Sequence, residues 1–196
     1  MHDPLPEGGF IRKLFAGEAD RYRDHLLRLD PDSRRARFGG AVSDDFIARY
    51  VDVSMQLDAV LYGFFLDGDL RGTGELRPVR SAVDADAEAA FSIEQPWQSH
   101  GVGSALLAHT LLAARNRGIR RMHMICLAEN RRMQQLARKF DADLSFEYGS
   151  VIGEVEAPYP TPLTVLREIV ADSASFATAV LDVHSRLFKW QTGGPA

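Results

Sequence analysis

The feature that most constrains this chain is a short turn with two glycines, Gln98-Ser99-His100-Gly101-Val102-Gly103, set between an apolar run and a leucine-rich stretch. Ala87 to Ile93 reads as a strand leading into it. From Gly101 to Arg117 the apolar positions Val102, Leu106, Leu107, Leu111 and Leu112 keep helical spacing, and Gly118 is placed to end the helix. A strand, a tight turn and a helix in this order put consecutive backbone N–H groups at the positive end of a helix dipole, a ready site for an anion. Glycine matters there because a side chain would hold the anion off the backbone. A Walker-type loop would need four residues between its glycines and a following Lys-Ser or Lys-Thr, and a dinucleotide fingerprint would need a third glycine where Leu106 stands. On two glycines alone, an ordinary turn before a helix reads the same way.

The rest of the chain supplies a frame for that unit. Phe10 to Phe15 reads as a first strand, and Glu18 to Leu29 as a helix through Tyr22, Leu26 and Leu29, closed by Asp30-Pro31-Asp32. Ser43 is placed to cap a second helix whose face runs through Phe46, Ile47, Tyr50, Val51 and Ser54. Ala59 to Leu66 and Leu70 to Val79 flank Asp67-Gly68-Asp69, the sign of an antiparallel hairpin, and Arg80 to Asp86 reads as a loop. A buried strand is expected over Arg121 to Leu127, then a helix over about Arg131 to Phe140, then a hairpin of 145–148 and 151–155 around Gly149-Ser150. Ala157 to Pro162 carries three prolines and must be extended. Beyond it, Leu163, Leu166, Ile169, Val170, Phe176, Val180, Leu187 and Phe188 trace one face of a long helix that could break near Asp172-Ser173. That face needs a partner, either the core or a second subunit in a homodimer. The chain therefore divides into a domain over 1–157 and a proline-rich linker with an amphipathic helix over 158–196.

Composition narrows the function classes. At 196 residues and 45% hydrophobic the chain can bury a full core, and a net charge of −4 argues against nucleic acid or an anionic membrane as partner. The single cysteine, Cys126, cannot form an internal disulfide, no apolar run is long enough to span a bilayer, and the start of the chain does not look like a signal peptide. A cytoplasmic protein is expected. The histidines, His2, His25, His100, His109, His123 and His184, show no metal-site spacing, and no Gly-x-Ser-x-Gly elbow stands among them, so neither a metal site nor a serine hydrolase is expected.

The segment from Gln98 to Gly103 resembles the Gln/Arg-x-x-Gly-x-Gly/Ala signature of the GNAT N-acetyltransferases. The preceding strand, the leucine-rich helix, the next strand and Asn130 at the head of the following helix stand where that family places them, over about Ala87 to Leu144. The resemblance implies an α/β (α+β) fold with a mixed, mostly antiparallel central sheet flanked by helices and splayed at an acyl-CoA site, here with a C-terminal helical extension. It implies acetyl-CoA as co-substrate and a primary amine, on a small molecule or a protein lysine, as acceptor by direct attack on the thioester. The amides from Gln98 through Ser99, His100, Gly101, Val102 and Gly103 to Ser104 would hold the pyrophosphate. Ile93 and Gln95 would pair with the pantetheine amides like an added strand, with Asn130 bonding the same arm. The amide of Ile93 or of Glu94 would polarise the thioester carbonyl.

The acid and base are less regular. Glu75 and Glu94 are the candidate bases, each also readable as an ordinary strand glutamate, with Glu88 a weaker one. Many relatives carry a tyrosine seven residues after the asparagine as general acid, but this chain has Ala137 there, and Asp141 replaces the usual glycine at that helix's end. Tyr148 is the candidate substitute. The missing tyrosine motivates a rival reading, a non-catalytic acyl-CoA-binding or sensing module. Arg34, Arg35 and Arg37 look like the matching stretch of bacterial protein lysine acetyltransferases, and could meet the cofactor's phosphates or an acidic acceptor. Asp84, Asp86 and Glu88 could conversely attract a cationic amine.

Overall fold

The computed structural model describes residues 4–56, 59–80 and 85–192, with the backbone alone at 80 and over 181–192. His2, Asp84 and the side chains of His184, Leu187 and Phe188 therefore lie outside the described residues. The elements run β1 (Phe10–Lys13), α1 (Ala19–Arg28), α2 (Pro31–Phe38), α3 (Asp44–Gln56), β2 (Val60–Leu66), β3 (Asp69–Arg80) and β4 (Ala85–Ile93). They continue with α4 (Val102–Asn116), β5 (Arg121–Leu127), α5 (Arg131–Lys139), β6 (Asp143–Glu147), β7 (Ser150–Glu156) and α6 (Pro162–Thr192).

One sheet holds all the strands in the order β1-β2-β3-β4-β5-β7-β6. Every neighbouring pair is antiparallel except β4 and β5, which run parallel and pair only over Asp86–Glu88 and Arg121–His123. The expected mixed, mostly antiparallel sheet flanked by helices, with a C-terminal helix, is the fold observed. The β2–β3 hairpin turns at Asp67 and Gly68, both at positive φ (54° and 81°), the conformation a two-residue hairpin requires.

Strand alternation builds a core on each face. Along β2, Tyr62, Phe64 and Leu66 join Leu106, Leu107, Ala113 and Ala114 of α4 and Met122 and Met124 of β5. Leu61 and Phe65 point the other way, to Tyr22 and Leu26 of α1 and Ile47 and Val51 of α3. The helices α4 and α5 end in the same motif. In α4 the Ile119 amide bonds to the Ala114 carbonyl past Gly118 (φ 69°), and in α5 the Ala142 amide bonds to the Ala137 carbonyl past Asp141 (φ 57°). Asp141 thus takes the left-handed position that glycine usually fills.

Two expectations are corrected. Asp30-Pro31-Asp32 does close α1, but it also opens α2: Asp30 Oδ1 accepts from the Ser33 amide at 3.0 Å and Pro31 takes the first helical position. The long C-terminal helix is unbroken at Asp172-Ser173, where Ser173 Oγ donates back to the Ile169 carbonyl at 2.9 Å and Asp172 pairs with Lys13 Nζ at 2.7 Å. Among the described residues, no helix is long and apolar enough to cross a membrane.

Candidate active site

The strand β4 ends in a 3-10 turn over Gln95–Trp97, where the Trp97 amide bonds to the Glu94 carbonyl and the Gln98 amide to the Gln95 carbonyl. Ser99 (φ 63°) and Gly101 (φ 74°) then reverse the chain into α4, whose first intrahelical bond runs from the Ala105 amide to the Gly101 carbonyl. Among the described residues, no side chain caps this helix. Among the same residues, the amides of Ser99, His100, Gly101, Val102, Gly103 and Ser104 consequently have no partner. Gln98 differs from the expectation, since its amide is spent on the turn.

A cavity of about 720 Å³ opens at this mouth. It is walled by Phe91, Ser92 and Ile93 of β4, by Ser99, Gly101, Gly103 and Ser104, by Asn130, Met133 and Leu136 of the α5 side, and by Ser33, Arg35 and Arg37 of α2. It exists because β4 and β5 part after Glu88. The Glu94 amide bonds to the Arg71 carbonyl at 3.0 Å, and Gly72 stands opposite Ile93. Alternation in an antiparallel ladder then turns the N–H and C=O of Ile93 and Phe91 away from β3, toward the gap.

Gln98 organises the mouth through its side chain. Its Nε2 donates to the Ile93 carbonyl (2.8 Å) and to Ser33 Oγ (2.9 Å), while its Oε1 accepts from Arg132. Arg35 reaches across to Glu129 at 2.9 Å, so α2 is tied over the cavity at two points. Sequence reading missed this wall, although Asp30-Pro31 and Gly39 (φ 74°) are cap signals at its two ends. Asn130 caps α5, its Oδ1 accepting from the Met133 amide at 3.1 Å, which leaves its amide nitrogen for a ligand. His100 folds back, Nδ1 donating to the Gln98 carbonyl at 2.7 Å, and does not line the cavity. Gln95 sits in the 3-10 turn outside the lining, and the Val102 side chain belongs to the core.

The three candidate acid–base side chains are not brought into the cavity. Glu75 is buried on the α1–α3 face of β3, accepting from Tyr22 (3.1 Å), Arg37 (2.7 Å), Arg77 (2.7 Å) and Tyr50. Burial would raise its pKa, but Arg37, the Tyr50 hydroxyl and Arg77 outweigh that and hold it below the usual carboxylate range. Glu94 is likewise buried and held low: burial opposes its charge, while His25, Arg28 and Arg71 favour it. Tyr148 lies in the β6–β7 turn, fully exposed and outside the lining. Glu88 is exposed on β4 at the last register pair with β5. Ala137 is buried, and a Cβ at Gly153 of β7 would lie 3.4 Å from its methyl.

One polar line beside the cavity was not read from the sequence. Ser92 Oγ lies 2.9 Å from His25 Nε2 and 2.7 Å from Thr73 Oγ1, and His25 Nδ1 lies 3.2 Å from Glu94 Oε1. His25 is fully buried. Its partners are 67 and 69 residues away in the chain, so no local spacing announces them.

Comparison with known proteins agrees with this architecture. The model of the acetyltransferase (GNAT) family matches residues 21–142. Acetyltransferase PA5475 of Pseudomonas aeruginosa is 29% identical over 130 residues, which are 64% of this chain and 70% of that protein. The crystal structure of the GNAT domain of S. lividans PAT is similar with a TM-score of 0.63 and 27% identity, covering 74% of this chain and 89% of that one. The PaiA N-acetyltransferase from Thermoplasma acidophilum, solved in complex with coenzyme A, shares the fold with a TM-score of 0.57 and 18% identity, over 76% of this chain and 98% of that one. The chain belongs to the GNAT acetyltransferase family, and its class of chemistry is acyl transfer.

Proposed function

We propose that this protein is an acetyl-CoA-dependent N-acetyltransferase that moves the acetyl group to a primary amine, on a small molecule or a protein lysine, by direct attack on the thioester. The observation that carries the reading is the run of unpartnered amides from Ser99 to Ser104 at the head of α4, opening into a cavity bounded by the free edge of β4. Those amides suit the pyrophosphate, and Arg35, Arg131 and Arg132 on the cavity wall add charge of the right sign. Asn130, on the cavity wall, is available to the pantetheine arm, and Gln95 reaches it in this reading only through its backbone beyond the lining. The Glu94 amide is committed to Arg71, so the Ile93 N–H is the donor we assign to the thioester oxygen. Residues 1–157 form the catalytic unit in this reading, with 158–196 as linker and accessory helix, acting in the cytoplasm.

The test is Gly103→Asp. Gly103 is in the first turn of α4, where a carboxylate suits the helix dipole, so the variant should fold. The same carboxylate occupies the amides and repels phosphate. Wild type should show a thermal shift with CoA, since ligand at about 100 times Kd adds about 2.7 kcal/mol to stability. Gly103→Asp should weaken CoA binding at least about tenfold, or roughly 1.4 kcal/mol. An unchanged CoA shift in the variant would overturn the assignment. A second reading, an acyl-CoA-binding module without turnover, is favoured by Ala137 and by the ion pairing of Glu75 and Glu94. CoA binding without thiol release across an amine panel would select it.

A further inference from the structure

Resting on the acyltransferase reading, we propose that Ser92, His25 and Glu94 form a two-way proton relay for the transfer. Ser92 Oγ takes the proton of the attacking amine and passes its own to His25, and the same path returns it to the departing thiolate. Ser92 lines the cavity and immediately precedes Ile93, the residue whose N–H faces the gap. Ser92 and Glu94 are two apart on one strand, so both side chains leave β4 on the α1 face and bracket the His25 ring, one at each nitrogen.

With His25 neutral, the hydrogen-bond accounting closes in one way. Glu94 is an ionised acceptor, pinned by Arg28 Nε at 2.9 Å and Arg71 Nη1 at 3.1 Å. It requires the proton of His25 to sit on Nδ1, which leaves Nε2 to accept from the Ser92 hydroxyl. Thr73, 2.7 Å away, then donates to one Ser92 lone pair, and the other is the one the relay offers to an amine N–H. The charges facing His25 are Glu94 on the β4 side, Arg28 of its own helix, Arg37 of α2 and, behind Glu94, Arg71 of β3. Burial lowers the pKa of the ring, Glu94 only partly offsets this, and Arg28 and Arg37 add to it, so His25 rests neutral and able to accept.

The balance is simple. The amine nitrogen bonds to the acyl carbon, the proton it sheds moves to Ser92 Oγ, and the Ser92 proton moves to His25 Nε2, leaving an imidazolium against Glu94. Collapse of the tetrahedral intermediate breaks the C–S bond, and the proton returns through Ser92 to sulfur as the free thiol. One device thus supplies the base that Glu75 cannot be in its ion pairs and the acid that a tyrosine at 137 would have been.

The experiment has an arm that needs no acceptor. Nitrogen NMR of histidine-labelled full-length protein should find His25 as the Nδ1–H tautomer between about pH 7 and 8, above the ordinary histidine pKa of about 6.5. Protonated Nε2 would overturn the relay, because that nitrogen could not accept. The second arm measures thiol release from acetyl-CoA with hydroxylamine, small enough for any acceptor pocket. Ser92→Ala should lower kcat about 10²-fold or more with KM for acetyl-CoA unchanged, and Ser92→Thr should recover most of the loss. In wild type, kcat/KM should fall as pH drops through the lowered His25 pKa, and His25→Gln should remove that limb. Glu88→Gln, the exposed carboxylate on the same strand, should leave the limb in place; removal of the limb by this variant would overturn the relay. A CoA thermal shift is kept throughout. Its absence in wild type would sink the acyltransferase reading, whereas a normal shift with the wrong tautomer or an unaffected Ser92→Ala sinks only the relay.

Discussion

The helices α4 and α6 pack against each other yet present opposite sides to the protein. In α4, the apolar residues Val102, Leu106, Leu107, Ala113 and Ala114 are buried on the sheet. Among the described side chains of α6, the buried positions are Thr164, Glu168, Ser175 and Ala179, while Leu163, Leu166, Ile169, Val170 and Phe176 are 57–61% exposed. Polar groups hold α6 in place: Glu168 accepts from Arg117 (2.6 Å) and Asn116 (2.7 Å), Asp172 from Lys13 (2.7 Å), and the Tyr159 carbonyl ahead of it from Arg115 (2.6 Å). Phe15 against Phe176, edge to face at 5.6 Å, adds an apolar contact to this seam. The difference teaches that the two helices are held by forces of different size. Burial of a leucine removes apolar area from water, whereas a part-exposed ion pair gains little over hydration.

The largest expected effect is on α4. Leu106 is fully buried in the core cluster that also holds Tyr62, Phe64 and Leu76. Leu106→Ala should cost about 2–5 kcal/mol in urea unfolding, the range for a large-to-small change in a packed core. A loss under about 1 kcal/mol would mean that α4 is no better anchored than α6, and the contrast would collapse.

That contrast also separates what the sequence could reveal from what it could not. The α4 unit was legible because its signals are local: leucines at helical spacing, Gly118 at the exit, glycines at the mouth. The hairpin at Asp67-Gly68 and the Asn130 cap of α5 were legible for the same reason. By contrast, α2 has no buried residue, so Pro31 to Phe38 offers no apolar period to follow, and only its caps betray it. The facing of α6 was hidden more deeply. The rule that the apolar stripe faces the core assigns Leu166 inward, and only the fold reveals Asn116 and Arg117 waiting for Glu168. Within the site, the amide run follows from two glycines, but the commitment of Glu75 to Arg37 and Tyr50, and of Glu94 to His25, depends on side chains brought together across the sheet.

A middle-sized effect belongs to the polar seam. Glu168→Ala removes the acceptor of Arg117 and Asn116, and Arg117 remains about one-third exposed and able to hydrate. The cost should be about 1 kcal/mol or less. The more sensitive measure is limited proteolysis of the extended stretch between β7 and α6, which should be cut faster once α6 detaches more often. Unchanged cleavage would show that Phe176 and Lys13 hold the helix without Glu168.

The smallest effect is the sharpest test, because it repeats the α4 substitution on the other helix. Leu166 is 57% exposed on the face turned away from the core. A truncation there deletes apolar surface that water already covers, so Leu166→Ala should change stability by no more than about 0.5 kcal/mol, independent of protein concentration. A cost near that of Leu106→Ala would mean the face is covered in solution. Were that cost to grow with protein concentration, the cover would be a second copy of the chain, since only association makes stability depend on concentration. The inverted helix would then be half of an interface, and its polar seam the device that turns the apolar side outward to meet it.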